Sequence, residues 1–147
     1  MRNISTTSDD LYRIIREQGI DLIPYTMPHT GSVSAKYGNH YVIGIDHRFL
    51  GCAAEERSHL AHEIGHCVTD SFYFLRESLC GRQKHEYRAD QWAVHHLIPW
   101  ASLHDAMRDG DREPWKIADR FCVSEEFVRR ALDLYEREGY LPIRYEE

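Results

Sequence analysis

The segment HEIGH, residues 62–66, constrains the fold of this chain more than any other, because its polar side chains can act together only on a helix. Positions four apart on an α-helix lie on the same face, so His62 and His66 can each direct a ring nitrogen at a single ion. Glu63 lies beside them, within reach of a water bound to that ion. Imidazole nitrogens bind zinc well, and a catalytic zinc keeps one position open for water. The segment therefore predicts a helix that carries two zinc ligands.

Apolar residues recur with helical spacing around this motif, whereas the residues before it have the pattern of β-strands. From about Ala53 apolar residues recur with helical spacing in EERSHLAHEIGHCV, and again in HEYRADQWAVHHLI, which ends before Pro99. Residues 20–46 instead contain short β-prone pieces, DLIPY, SVSAKY and HYVIGID, after a short opening helix that ends at Gly19. We predict a small antiparallel sheet with a hairpin at Gly38, followed by helices.

A third metal ligand is needed, and Glu86 in the segment HEYRAD is the best candidate. It lies twenty residues after His66, near the predicted start of the next helix, and Asp90 follows it at i+4 on the same face. Glu86 can complete the ligand set, while Asp90 can accept a hydrogen bond from the histidine nitrogen that does not bind the ion. The sequence thus predicts zinc bound by His62, His66 and Glu86, with Glu63 placed to reach a water on the ion. Manganese and iron fit the same types of ligand.

Other histidines of these two helices are weaker candidates. His59 lies near the face of His62 and His66, but seven residues of helix place it about 10 Å along the axis from His66, too far for both to bind one ion. Three further histidines share a helix with Glu86, of which only one face can meet the ion, and we interpret them as satisfied or exposed side chains: His85, His95 and His96.

Size and composition narrow the class of protein. With 147 residues and 42% hydrophobic content we predict a single domain, residues 1–147, with the sheet and metal-binding helices in residues 1–100 and a helical subregion in residues 101–147. The net charge of -6 disfavours nucleic acid as the main partner. No apolar run approaches the roughly 18 residues of a membrane span, and the N-terminus lacks a secretory pattern, so we predict a cytoplasmic protein.

The cysteines form no C-x-x-C pair and are predicted to be buried free thiols: Cys52, Cys67, Cys80 and Cys122.

The C-terminal segment IADRFCVSEEFVRRAL has the pattern of a helix, a short turn and a second helix with Ser124 as its N-cap, as in half of a helix-turn-helix DNA reader. Its charges argue against DNA. Residues 111–139 carry six Arg or Lys against eight Asp or Glu, and the second helix opens with Glu125 and Glu126. These carboxylates stabilise a helix start but repel phosphates. We interpret the region as a structural cap or a protein-docking surface.

Three segments, HLAHEIGHCVTDSFY, HEYRADQWAVHHLIP and WKIADRFCVSEEFVRRAL, together resemble the ImmA/IrrE family of zinc metallopeptidases, in its short form without a fused N-terminal DNA-binding domain. The resemblance covers most of the chain. It implies an α+β fold in which a small antiparallel sheet packs on a helical zincin core, with a degenerate helix-turn-helix as C-terminal cap. It also implies that His62, His66 and Glu86 bind zinc and that Glu63 is the general base, in agreement with the helix geometry. The spacing and the E-x-x-x-D form are similar to those of thermolysin-type peptidases.

The function that this resemblance implies is a zinc endopeptidase that cleaves a helix-turn-helix repressor and so relieves repression of a prophage, a mobile element or a stress response. Glu63 would take a proton from water and pass it to the leaving amine. Two other functions stay open: a regulator that binds its repressor without cutting it, and a zinc hydrolase acting on a small amide. The donor to the oxyanion also stays open among four side chains close to the motifs in sequence: Tyr73, His85, Tyr87 and Arg88.

The strands that precede the metal helix suggest where a substrate would lie. A strand edge in SVSAKYGNHYVIGI could pair with an extended peptide, which gives main-chain affinity with little demand on sequence. The alternative is a sheet that merely covers the helices.

Overall fold

Six α-helices and a three-stranded sheet make up the chain in the computed structural model, which describes residues 8–26, 30–50, 52–72 and 78–140. The architecture is α+β, as predicted. The helices are α1 Ser8–Glu17, α2 Ala53–Val68, α3 Leu79–Leu97, α4 Trp100–Arg108, α5 Pro114–Phe121 and α6 Glu125–Arg137. The strands are β1 Asp21–Tyr25, β2 Ser32–Tyr37 and β3 His40–Asp46, and a single 3-10 turn, His47–Phe49, follows β3.

The sheet is mixed, with the strand order β1-β3-β2. β2 and β3 form the predicted antiparallel hairpin, and its turn uses Gly38 at a φ of +58°. β1 lies along the other edge of β3 and runs parallel to it, where the sequence predicted a wholly antiparallel sheet. Side chains alternate in the same way in a strand of either direction, so the sequence of β1 does not encode this difference. Ile43 and Ile45 of β3 are fully buried in the core against the helices.

α2 is buried on several sides, which places its polar residues in unusual surroundings. Leu60 belongs to the apolar core, but Arg57 and Ser58 are buried as well. Arg57 Nε donates a hydrogen bond to the carbonyl of Cys122 at 3.0 Å, and Ser58 Oγ accepts one from the backbone N of Ser124 at 3.0 Å. α2 therefore holds the turn between α5 and α6 through its own side chains.

α3 begins at Leu79, six residues before the predicted start at His85. The cause is Ser78, whose Oγ accepts a hydrogen bond from the backbone N of Gly81 at 3.2 Å and so caps the helix. The segment LCGRQK has too weak an apolar period to predict this extension. Glu86 consequently lies well inside the helix, and its backbone is held by turns on both sides.

The C-terminal helices adopt the predicted helix, turn and helix. Ser124 Oγ accepts a hydrogen bond from the backbone N of Phe127 at 3.1 Å, which confirms it as the N-cap of α6. α6 packs against α3 as well as α5, and the Tyr135 hydroxyl donates to the carbonyl of Ile98 at 2.6 Å. The C-terminal subregion is thus joined to the half of the chain that carries the HEIGH motif.

All four cysteines are free, as predicted, but only Cys67 is buried. Burial raises the pKa of its thiol to about 12, so it is a neutral core side chain. Cys52 and Cys80 are exposed, contrary to the prediction, because they lie at the outer starts of α2 and α3. Within the described ranges, no helix combines the length and the apolar character of a membrane span.

Candidate metal centre

Three side chains from α2 and α3 converge on one point. His62 and His66 lie one turn apart on α2, and their Nε2 atoms are 3.2 Å from each other. Glu86 of α3 places Oε2 3.0 Å from His62 Nε2, and Oε1 3.3 Å from His66 Nε2. One donor atom from each residue lies within 4.8 Å of the others. The structure therefore brings together the three residues predicted as metal ligands.

The spacing of these donors is compatible with a shared metal ion. Two donors bound to one zinc at its usual bond lengths lie about 3.3 Å apart; the two imidazole nitrogens are 3.2 Å apart, and each lies 3.0 or 3.3 Å from a different oxygen of the Glu86 carboxylate. Both histidines turn the same nitrogen inward, so two lone pairs would face each other unless a cation or a proton lies between them. Two imidazoles and one carboxylate are also the donor set of many catalytic zinc sites. The residues present fit the predicted zinc ion.

The outer ring nitrogen of each histidine is held by a hydrogen-bond acceptor. His62 Nδ1 lies 2.8 Å from Asp90 Oδ1, and His66 Nδ1 lies 2.6 Å from the carbonyl oxygen of Ser71. These contacts place the proton on Nδ1 and leave Nε2 as the metal-binding nitrogen. Asp90 thus lies where the sequence predicted. The contact with Ser71 was not predicted, because it uses a backbone carbonyl and depends on a turn at Asp70, where φ is +50°.

Asp90 is itself fixed by a residue of the C-terminal helix. Arg130 of α6 donates from Nη1 to Asp90 Oδ1 at 3.1 Å, the same oxygen that faces His62. This contact links residues 40 positions apart, and nothing in the local pattern of α6 identifies it. Arg130 therefore connects the C-terminal cap to the metal centre.

The electrostatics of the cluster favour a bound cation. Burial opposes protonation of His62, but its hydrogen bonds to Asp90 and Glu86 and the charge of Glu63 outweigh this and raise its pKa to about 10, so a metal ion that binds Nε2 takes the place of a proton there. Hydrogen bonds from His62 and His66 hold the pKa of the Glu86 carboxyl well below its usual range. Glu86 is consequently an anion at neutral pH, the form that binds a metal. The excess of carboxylates over imidazoles attracts positive charge.

The other predicted candidates lie away from this centre. The His59 ring stacks on Phe49 with centroids 4.6 Å apart and takes no part in the ligand cluster. His95 Nε2 lies 2.9 Å from Glu138 Oε2, and the His96 ring stacks on a tryptophan. Of the four candidate oxyanion donors, Tyr73 lies outside the described residues. The other three are not among the described side chains that line the cleft over the cluster: His85, Tyr87 and Arg88.

A family model described as Peptidase_M78, the IrrE N-terminal-like domain, matches residues 15–133. The chain belongs to this family. The match confirms the resemblance to ImmA/IrrE proteins, and it covers the whole HEIGH motif, Glu86 and Asp90. Neither the curated proteins nor the solved structures gave a match to the chain. The Peptidase_M78 assignment supports a metallopeptidase with a protease or regulatory function.

Glu63 of the Peptidase_M78 domain faces a cleft that runs past the metal centre. Only 5% of the residue is exposed, and its Oε1 accepts a hydrogen bond from Ser32 Oγ at 2.8 Å. Sequence analysis did not identify Ser32, because it lies on β2, far from the motif in sequence. The cleft has a volume of about 650 Å³ and is lined by residues of β2, α2 and α3 and their connections: Thr30, Ser32, Val33, Ser34, Ala35, Lys36, His62, Glu63, His66, Phe72 and Glu86.

Replacing Asp90 by alanine is expected to weaken zinc binding roughly 10-fold to 100-fold, since His62 would lose the acceptor that orients its ring. Zinc affinity can be measured by competition with a chromophoric chelator. Asp133→Ala is the matched control, because it removes an exposed carboxylate that pairs with Arg137 at 2.9 Å. Equal zinc affinities for the two variants would contradict the role assigned to Asp90.

Proposed function

We propose that this Peptidase_M78 domain is a zinc-dependent endopeptidase, in which His62, His66 and Glu86 bind zinc and Glu63 is the general base. One observation carries the proposal: two imidazole nitrogens and the Glu86 carboxylate, with one donor atom from each within 4.8 Å of the others, converge on the cleft that the Glu63 carboxylate faces. Asp90 supports the site by orienting His62.

The chemistry divides between the ion and the chain. A zinc ion held here would polarise the scissile carbonyl and lower the pKa of a water molecule. Ser32 holds Oε1 of Glu63, which leaves Oε2 to accept a proton from the attacking water and return it to the leaving amine. Because water is the nucleophile, no covalent intermediate with the chain forms.

The outer edge of β2 is where we place the substrate backbone. β2 is an outer strand of the sheet, and its residues 32–36 line the cleft beside Glu63 and the two histidines. No described strand pairs with the edge of β2 that faces away from β3. An extended peptide added there would lie along the metal centre and bind through its main chain. Proline substitutions along β2 that left the KM for a peptide unchanged would contradict this placement.

The substrate that we propose is a helix-turn-helix repressor, whose cleavage would relieve repression of a prophage, a mobile element or a stress response. The regulatory association of the Peptidase_M78 family supports this choice, and such a substrate would place the enzyme in the cytoplasm. The net charge of -6 and the packing of α6 on α3 support a protein rather than DNA as the direct partner.

Cleavage can be tested on a helix-turn-helix repressor, to be sought first among the genes adjacent to the gene for this chain. The repressor is incubated with zinc-loaded protein, with chelator-treated protein and with chelated protein reloaded with zinc, and each mixture is analysed by intact-mass spectrometry. We expect discrete fragments with the loaded and reloaded protein only. An intact repressor that stays bound to the loaded protein would favour the non-cutting regulator. Turnover of small amides, with no protein cleaved, would favour a small-amide hydrolase.

A further inference from the structure

The hydroxyl of Ser32 joins two residues of α2 that the metal centre itself does not connect. Ser32 Oγ donates to Glu63 Oε1 at 2.8 Å and lies 3.0 Å from His59 Nδ1. Ser32 is the first residue of β2, the strand that forms one wall of the cleft. The general base of the proposed reaction is thus bonded to the strand on which we place the substrate.

The direction of these hydrogen bonds follows from the number of protons. A serine hydroxyl has one proton, so when Ser32 donates to Glu63 it can only accept from His59. Burial lowers the pKa of His59, which is therefore a neutral imidazole at pH 7 with a single N–H. His59 Nε2 lies 3.6 Å from Glu55 Oε2, longer than a hydrogen bond, so the proton is placed on Nδ1, where it satisfies Ser32 and gives the chain His59 to Ser32 to Glu63. The Phe49 ring, stacked on His59 at 4.6 Å and 18°, fixes the plane of the imidazole.

The backbone before Ser32 is shaped for this contact. A Cβ atom added to Gly31 would lie 2.3 Å from His59 Cε1 and 2.5 Å from Phe49 Cε2. No other residue type could therefore occupy position 31 without displacing one of the two rings. Glycine lets β2 begin close enough to α2 for the Ser32 hydroxyl to reach both partners.

We propose that Ser32 and His59 are positioning residues for Glu63. This inference rests on the proposed peptidase function. By holding Oε1, Ser32 keeps the carboxylate in the rotamer that presents Oε2 to the cleft, and His59 keeps the Ser32 hydroxyl turned toward Glu63. A general base must lie within hydrogen-bond distance of the proton that it removes, and a displacement of about 1 Å can cost roughly 100-fold in rate. Loss of the hydrogen bond between Ser32 and Glu63 would therefore lower kcat.

The Ser32→Ala variant tests this role in the zinc-loaded protein, with the repressor that the wild type cleaves as substrate. We expect kcat to fall roughly 10-fold to 100-fold, while KM and the zinc dissociation constant stay within about twofold, since neither ligands nor backbone change. Ser32→Thr keeps the hydroxyl and should recover most of the lost kcat. Ser78→Ala is the control, because it also removes one serine hydrogen bond, at the exposed start of α3. Its kcat should equal that of the wild type.

His59→Phe tests the second positioning residue, because it retains an aromatic ring on Phe49 but lacks the nitrogen that contacts Ser32. We expect a smaller loss of kcat than for Ser32→Ala. The double variant should lose no more than Ser32→Ala alone, since both residues act through one hydroxyl. Additive losses would overturn the connection from His59 to Glu63.

Several results would overturn the role of Ser32. An unchanged kcat in Ser32→Ala would do so, as would a parallel loss of zinc affinity, which would indicate a purely structural contact between β2 and α2. If the wild type cleaves no repressor, the proposed function fails separately. In that case the role of Ser32 can still be tested by crystal structures of the zinc-loaded Ser32→Ala and Ser78→Ala variants. We expect the Glu63 side chain to leave its rotamer in the first variant only.

Discussion

Glutamine in place of Glu63 is expected to reduce kcat by roughly 10²-fold to 10⁴-fold, the range that a general base contributes. The amide has nearly the same shape as the carboxylate and can still accept the hydrogen bond from Ser32, so the side chain should stay in place. It cannot take a proton from water at neutral pH. Since Glu63 is outside the ligand cluster, zinc should remain bound.

Two measurements on this variant separate chemistry from metal loss. Zinc content is determined by elemental analysis of the purified protein, and kcat is determined with the repressor as substrate. Glu125→Gln is the matched control, because Glu125 makes an exposed contact with Arg129 at the start of α6. If Glu63→Gln still relieved repression in a reporter assay without cutting the repressor, the protein would be a binding regulator instead.

The sequence predicted the metal-binding core well because its spacings lie within single helices. His62 and His66 are one turn apart on α2, and Glu86 and Asp90 are one turn apart on α3, so each pair shares a face whatever the tertiary packing. Only the contact between α2 and α3 had to be inferred, and the combination of H-E-x-x-H with a later E-x-x-x-D indicated that contact. Even the late prediction of the α3 start did not change which side chains converge.

The supporting contacts could not be predicted in this way, because they reach the site from distant parts of the chain. Ser32 lies 31 residues from Glu63, and Arg130 lies 40 residues from Asp90. A serine in a strand and an arginine on a helix are common and carry no signal of function by themselves. Only the packing of β2 and α6 brings these two side chains to the site. The parallel direction of β1 could not be predicted for the same reason, because strand pairing is a property of the tertiary structure.

Alanine in place of Gly65 is expected to destabilise the protein, although alanine is the better helix former by about 1 kcal/mol. Gly65 is the fourth residue of the HEIGH motif, on the side of α2 that meets α3. A Cβ atom there would lie 2.5 Å from the carbonyl oxygen of Ala89 and 3.1 Å from its Cα. These are backbone atoms, so no side-chain rotation relieves the clash and α3 itself has to move. Overpacking of this kind typically costs about 1–3 kcal/mol.

The displacement should also reach the metal centre, because Glu86 lies one turn before Ala89 on the same helix. We therefore expect Gly65→Ala to lower the free energy of unfolding by roughly 1–3 kcal/mol. It should also weaken zinc binding roughly tenfold, because the Glu86 carboxylate would move away from the two imidazoles. Unfolding by urea in the presence of a chelator measures the first effect apart from the second, and chelator competition measures zinc affinity. A variant stabilised by about 1 kcal/mol, as helix propensity alone predicts, would show that α2 and α3 are not in close contact at this residue.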